Sequence, residues 1–203
     1  MIAIIDYGLG NIGSIHNMLK KLNAGDICFA STPDDINNAD RYILPGVGAF
    51  DTGMGMLNAS GMREALDEQV LGNQKPILGI CLGMQMLGRS SEEGKDSGLG
   101  YLDFCCRRFQ FDNLDLRIPH MGWDYADIKR PNRLTQNPPD HPRFYFVHSY
   151  YAVCEDPDDI MFSCGYGFDF AAGVNRNNVY GVQFHPEKSH RFGMWLLRNF
   201  IEV

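Results

Sequence analysis

Gly79-Ile80-Cys81-Leu82-Gly83 closes the apolar run 76–80 and opens a helical segment that continues to about residue 88. A strand passing through a tight turn straight into a helix is the repeating unit of a parallel sheet covered by helices. Toward the N-terminus the same alternation recurs. Residues 2–6, 26–29 and 41–44 read as strands, and 12–22 and about 61–71 as helices, each from its apolar periodicity. Past the elbow the pattern changes. Residues 101–111, 124–129, 144–147, 151–155 and 179–183 read as strands parted by Gly, Pro and Asn, and helical periodicity returns only at 190–200. The segment 131–142 holds four prolines among polar residues and reads as a surface loop. The expected fold is α/β: a central, mostly parallel sheet flanked by helices, with an antiparallel extension, in a single domain over 1–203.

A hydrophobic content of 44% and a charged content of 21% suit a globular protein of 203 residues. The net charge of -7 argues against nucleic-acid binding, which normally needs a basic face. No apolar run is long enough to span a bilayer, and Met1-Ile2-Ala3-Ile4-Ile5-Asp6 reads as a strand and not a signal peptide, so a cytoplasmic protein is expected. Among the six cysteines no C-x-x-C pair occurs, which supports neither zinc nor a dithiol redox motif. Five of them read as small buried hydrophobes without disulfides. No metal and no cofactor are expected.

Gly8-x-Gly10-x-x-Gly13 follows the first strand as a dinucleotide fingerprint would. The acidic residue that should end the second strand is missing, because that strand runs into Ala30-Ser31-Thr32, and Asp34 follows Pro33 in an expected loop. These glycines are better read as permitting a tight turn beside some other site. A non-catalytic nucleotide-binding module remains only as a rival of a different class.

Cys81 carries the chemistry. In a G-x-nucleophile-x-G elbow the turn exposes the side chain, and the glycines relieve crowding on both sides. The helix that starts after Cys81 favours the thiolate, and the Leu82 amide is placed to donate to an oxyanion. A thiolate nucleophile needs a base and a group to orient it. His185 and Glu187, two residues apart just past a late strand, supply both. Pro45-Gly46-Val47-Gly48, at another strand end, can bring backbone N–H groups to the same oxyanion.

Together these segments resemble the class I (triad) glutamine amidotransferases, with their flavodoxin-like fold. Asp6-Tyr7-Gly8-Leu9-Gly10-Asn11 matches as well, and Pro119-His120-Met121-Gly122-Trp123 and Tyr145-Phe146-Val147-His148-Ser149-Tyr150 narrow the likeness to the glutaminase subunit type of imidazole glycerol phosphate synthase. The resemblance implies that Gln85 and Glu93 grip the polar groups of bound glutamine, with backbone help from Gly48, Ser149 and Tyr150. It places Asn11, Trp123 and Lys188 on the side facing a (βα)₈-barrel cyclase. That partner receives the ammonia and makes imidazole glycerol phosphate and an aminoimidazole carboxamide ribonucleotide in histidine biosynthesis. One position departs: Asp124 follows Trp123, where the family usually has asparagine. This leaves the triad intact but opens a second reading, the same glutaminase supplying ammonia for amidino groups on surface-polysaccharide sugars. A free-standing cysteine hydrolase is a further rival.

Overall fold

The computed structural model describes residues 1–111 and 116–203. Its first half contains strands β1 (Ile2–Ile5), β2 (Ile27–Ala30), β3 (Arg41–Leu44) and β4 (Ile77–Ile80), interleaved with helices α1 (Ile12–Lys21), α2 (Pro33–Asn38), α3 (Phe50–Ala59) and α4 (Arg63–Asp67). The elbow leads into α5 (Leu82–Met86). The second half contains β5 (Ser90–Ser91), β6 (Phe104–Arg108), β7 (His120–Tyr125), β8 (Asp127–Ile128), β9 (Arg143–His148), β10 (Tyr150–Cys154), β11 (Ile160–Tyr166), β12 (Phe168–Arg176) and β13 (Val179–Val182), and then α6 (His190–Glu202).

The main sheet runs β2-β1-β3-β4-β13-β12-β10-β6-β5, with β11 against β12. From β2 to β13 every pairing is parallel; β12, β10 and β6 continue the sheet antiparallel. A separate two-stranded antiparallel ribbon pairs β7 with β9. β1, β4 and β13 are buried at every residue, as strands covered on both faces must be. Their side chains feed two apolar clusters, one built around Phe50, Leu57 and Leu82 and the other around Phe144, Phe184 and Leu196. The expected α/β arrangement with an antiparallel part is what the chain adopts. Among the described residues no helix is long and apolar enough to cross a membrane.

The structure corrects several local expectations. The expected helix over 61–71 is shorter: α4 ends at Asp67 and a wider π turn covers Glu68–Gly72. α3 lies ahead of it where no helix was expected, because Gly53 and Gly55 weaken the sequence signal. Gly53 is there for packing, since a Cβ would sit 3.0 Å from both Leu82 and Met86. Asp34 lies in the first turn of α2 and not in a loop; Thr32 and Asp35 form a capping box that starts that helix. The strand expected over 101–111 is confined to β6, and that expected at 124–129 is replaced by β7, which starts earlier, and the short β8. The long β11–β12 hairpin went unread. Segment 131–142 contains a 3₁₀ turn, Arg133–Thr135, whose Leu134 is fully buried. Trp195 Nε1 and Asn199 Nδ2 donate to carbonyls of Leu134 and Gln136, pinning the segment to α6.

Candidate active site

Cys81 stands between β4 and α5 with φ 55° and ψ −111°, a conformation costly for any residue with a side chain. Both flanks hold it there. Its N–H continues the sheet ladder, donating to Val182 O at 2.8 Å, while its carbonyl accepts from Gln85 N at 3.2 Å and opens the helix. The elbow glycines are steric necessities. A Cβ on Gly79 would lie 2.7 Å from Gly83 O and Met84 N, and one on Gly83 would overlap the Leu44 carbonyl. Gly46 packs as closely, its place for a Cβ lying 2.8 Å from Gly83 N, so the Pro45–Gly48 loop is pressed against the elbow.

The N-terminal glycines serve this packing. Gly10, at φ +105°, leaves only 2.8 Å between a would-be Cβ and Pro45 Cβ; Gly8, at φ +92°, leaves 2.5 Å to Met56 Cε. They let the first turn close against the loop and α3.

His185 reaches the site from the strand next to that of Cys81. β13 pairs parallel with β4, Val182 opposite Ile80, so both chains leave the sheet at the same end. The His185 N–H donates to Tyr145 O at 2.9 Å. Ser189, fully buried, donates its hydroxyl to His185 O at 2.6 Å and accepts from Tyr145 N at 3.0 Å. His185 Nδ1 and Glu187 Oε1 are 2.9 Å apart, and the two side chains are 2% and 1% exposed. The Nε2 atom has no hydrogen-bond partner among the described residues and is left for the cleft. Burial pushes the imidazole down, but the Cys81 side chain and Glu187 outweigh it and hold His185 up at about 9. The Cys81 side chain and Glu187 together therefore favour the cationic imidazole.

Cys81 and His185 border one cleft of about 390 Å³, large enough for a free amino acid. Gly48, Leu82, Gln85, Glu93, Ser149 and Tyr150 line the same cleft. Glu93 is held by Phe50 N at 2.9 Å, at the start of α3. Gln85 Nε2 donates to Gln183 Oε1 at 3.0 Å and lies 3.4 Å from Tyr150 O. Sequence reasoning missed Gln183. Fully buried, it places its Nε2 3.7 Å from Cys81 Sγ and links that side chain to Gln85. The available signal was a glutamine two residues before His185 in an extended run, hence on the same side of the chain.

Trp123 and Lys188 meet around Tyr145. Trp123 lies 6.3 Å from that ring and stacks on His190 at 5.5 Å, while Lys188 Nζ lies 5.6 Å over Tyr145. Asn11 is the residue before α1 and makes no side-chain cap bond. Outward-pointing Met121, Trp123 and Tyr125 alternate along β7 and are 62%, 41% and 53% exposed.

Glu187→Gln tests the pair. A neutral amide in place of the carboxylate should lower the His185 pKa, because the largest charged contribution apart from Cys81 is lost. The folded value of about 9 lies above the unfolded one, so the pair stabilises the fold fully below about pH 6.5 and loses that effect as pH rises through about 9. The variant should therefore be about 1–2 kcal/mol less stable at neutral pH, converging with wild type above pH ~10. Denaturant melts at several pH values check this. An equal deficit at every pH would mean that His185 carries no charge there.

The chain matches the Glutamine amidotransferase class-I family over residues 3–203. It is 51% identical to imidazole glycerol phosphate synthase subunit HisH 2 of Pseudomonas aeruginosa, with both chains covered in full. It is 43% identical to imidazole glycerol phosphate synthase hisHF, chloroplastic, of Arabidopsis thaliana, covering 99% of this chain and 34% of that protein. The solved structure of PurLQS from Thermotoga maritima superposes with a TM-score of 0.73 at 19% identity, covering 99% of this chain and 97% of that one.

Proposed function

Since the chain belongs to the class I glutamine amidotransferases, we propose that it hydrolyses glutamine at Cys81 and delivers the ammonia to a (βα)₈-barrel synthase subunit. The carrying observation is the buried His185–Glu187 pair beside Cys81 in an amino-acid-sized cleft. Cys81 Sγ attacks the side-chain amide carbon of glutamine, forming a C–S bond and an oxyanion. The Leu82 amide, with a backbone N–H of Pro45–Gly48, serves as donor to that oxyanion. His185 Nε2–H gives its proton to the leaving nitrogen, ammonia departs, and a γ-glutamyl thioester remains. His185 then takes a proton from water as the water oxygen bonds to the thioester carbon; the C–S bond breaks, the Cys81 thiolate is restored and glutamate leaves. Glu187 keeps Nδ1–H oriented throughout. Gln85 and Glu93 hold the substrate's polar groups.

The relatives' names support histidine biosynthesis as the setting. They describe a synthase subunit, and in the plant protein the matching region occupies 34% of a longer chain. The apolar face of β7, with Trp123, Lys188 and Asn11, is the surface for the partner; ammonia that reached water would be protonated and lost to synthesis. Amidino-sugar formation remains the second reading, favoured by Asp124 alone. Both readings fit a cytoplasmic enzyme.

Glutamate release by the purified chain should be slow, and should rise roughly 5- to 150-fold when the cognate barrel subunit and its acceptor are added. A partner shifts activity only if it binds the competent arrangement more tightly. Full turnover by the chain alone, unmoved by either addition, would restore the free-standing hydrolase.

A further inference from the structure

From the wall of the glutamine cleft, which His148 helps to line, a buried row of polar groups runs back for which the mechanism has no use. His148 Nδ1 lies 2.8 Å from Tyr150 O, which pins the bend between β9 and β10. His148 Nε2 lies 3.1 Å from His120 Nδ1, and His120 Nε2 lies 3.4 Å from Asp124 Oδ2. The two rings are 3% and 6% exposed, while Asp124 reaches the surface beside Trp123. The row thus joins the β7 face to Tyr150, a residue of the cleft.

Counting protons shows a shortage. Three links run between two ends that can only accept, a carboxylate and a carbonyl. Three hydrogens are needed, and two neutral imidazoles carry two. Either a third proton is bound, or one link goes without; with the 3.1 Å link between the two rings kept, the empty one is an end. If His148 donates to Tyr150 O, His120 turns a lone pair toward Asp124. If His120 donates to Asp124, His148 turns a lone pair toward the Tyr150 carbonyl. The shorter 2.8 Å end favours the first arrangement over the 3.4 Å end, while a carboxylate, as the stronger acceptor, competes with a carbonyl for the donor.

We propose that Asp124, His120 and His148 are proton-linked positioning residues for the Tyr150 wall of the cleft, complete only when the imidazole pair holds an extra proton. This rests on the glutaminase reading of that cleft. Groups facing the pair from the surrounding strands are Cys164 and Tyr166 on β11, Phe146 on β9 and Phe170 on β12, with His185 acting on His148. Burial holds both imidazoles below the usual histidine range, with His148 at about 3, so the extra proton binds on the acid side of neutrality. Cys164 comes within 4.8 Å of the His120–Asp124 end. Burial, and then the Asp124 charge, push its thiol well up, so it resists the thiolate form that a metal would need.

Asp124→Asn supplies the missing hydrogen from its amide and frees His148 to serve Tyr150 at every pH. In the complex with its barrel partner, the variant should show a KM for glutamine about threefold below wild type near pH ~8. The ratio should fall toward one as pH is lowered from ~8 to the acid side of the ordinary histidine range, with kcat changed little throughout. Nitrogen NMR of the histidine rings reads the row without turnover. At pH ~8 His148 should be purely the Nδ1–H tautomer in the variant, and should show a share of Nε2–H in wild type. A KM ratio independent of pH, with His148 identical in the two proteins, overturns the proposal. So does a row that responds to added zinc instead of to pH. Loss of glutamine hydrolysis in both proteins under all conditions would instead indict the glutaminase reading, while the NMR comparison still decides the row.

Discussion

Cys81→Ala is expected to abolish glutamine hydrolysis, lowering turnover by roughly 10⁴- to 10⁶-fold, while ammonium salts still drive the synthase reaction of the partnered enzyme. The size of the loss follows from the geometry. In the proposed mechanism every bond change passes through Sγ, and alanine offers nothing to form the thioester. The fold should survive, because Cys81 is held by its backbone bonds to Val182 and Gln85 and not by its side chain. Unchanged circular dichroism, together with intact ammonium-dependent synthesis, separates a lost nucleophile from a lost structure. Cys105→Ala and Cys106→Ala should retain glutaminase activity. Both lie in β6, outside the cleft lining, and Cys106 is buried in the core. Residual glutamate release by Cys81→Ala comparable to wild type would remove Cys81 from the mechanism.

Gly83→Ala is expected to damage the fold as severely as Cys81→Ala damages the chemistry. The added methyl would occupy the same space as the Leu44 carbonyl at the end of β3, and its next neighbours are also backbone atoms of Leu44 and Pro45. Nothing there can rotate away. Relief requires α5 to move off β3, which would spoil the Cys81 turn and the packing of Leu82 and Met84, each nearly or wholly buried. A cost of about 3 kcal/mol or more is expected, lowering the melting temperature by roughly 10 °C for a chain of this length. Gly48→Ala is the contrast. Its Cβ would meet nothing within 4 Å, so its cost comes only from φ +103°. Equal melting temperatures for wild type and Gly83→Ala would show that the elbow does not need its second glycine.

These contacts explain which features could be read before folding. The elbow was legible because backbone crowding leaves no choice at Gly79 and Gly83, and a forced glycine is visible in the sequence. His185 and Glu187 were legible because the pairing is local, two residues apart. The parallel half was legible because its buried strands are unbroken apolar runs. Gln183, Ser189 and the His120–His148 row were not, since each acts through a partner brought by topology. His120 meets His148 only through the β7–β9 register, which places the two residues opposite each other across 28 positions. The β11–β12 hairpin escaped because register shifts and Gly165, Gly167 and Gly173 interrupt its alternation. Helix α3 escaped because Gly53, required there by close packing, looks in the sequence like a glycine chosen for a loop.

The pairing of β13 with β4 also sets a clock on the enzyme. Cys81 leaves the ribosome about a hundred residues before His185, and only insertion of β13 between β4 and β12 brings the two together. At roughly 5–20 residues per second, a growing chain carries its thiol for several seconds without a base beside it. During that interval the nascent subunit consumes no glutamine. A chain truncated ahead of β13 is expected to stay equally silent, since it lacks both His185 and the strand that brings it to Cys81, even where the first four strands remain folded.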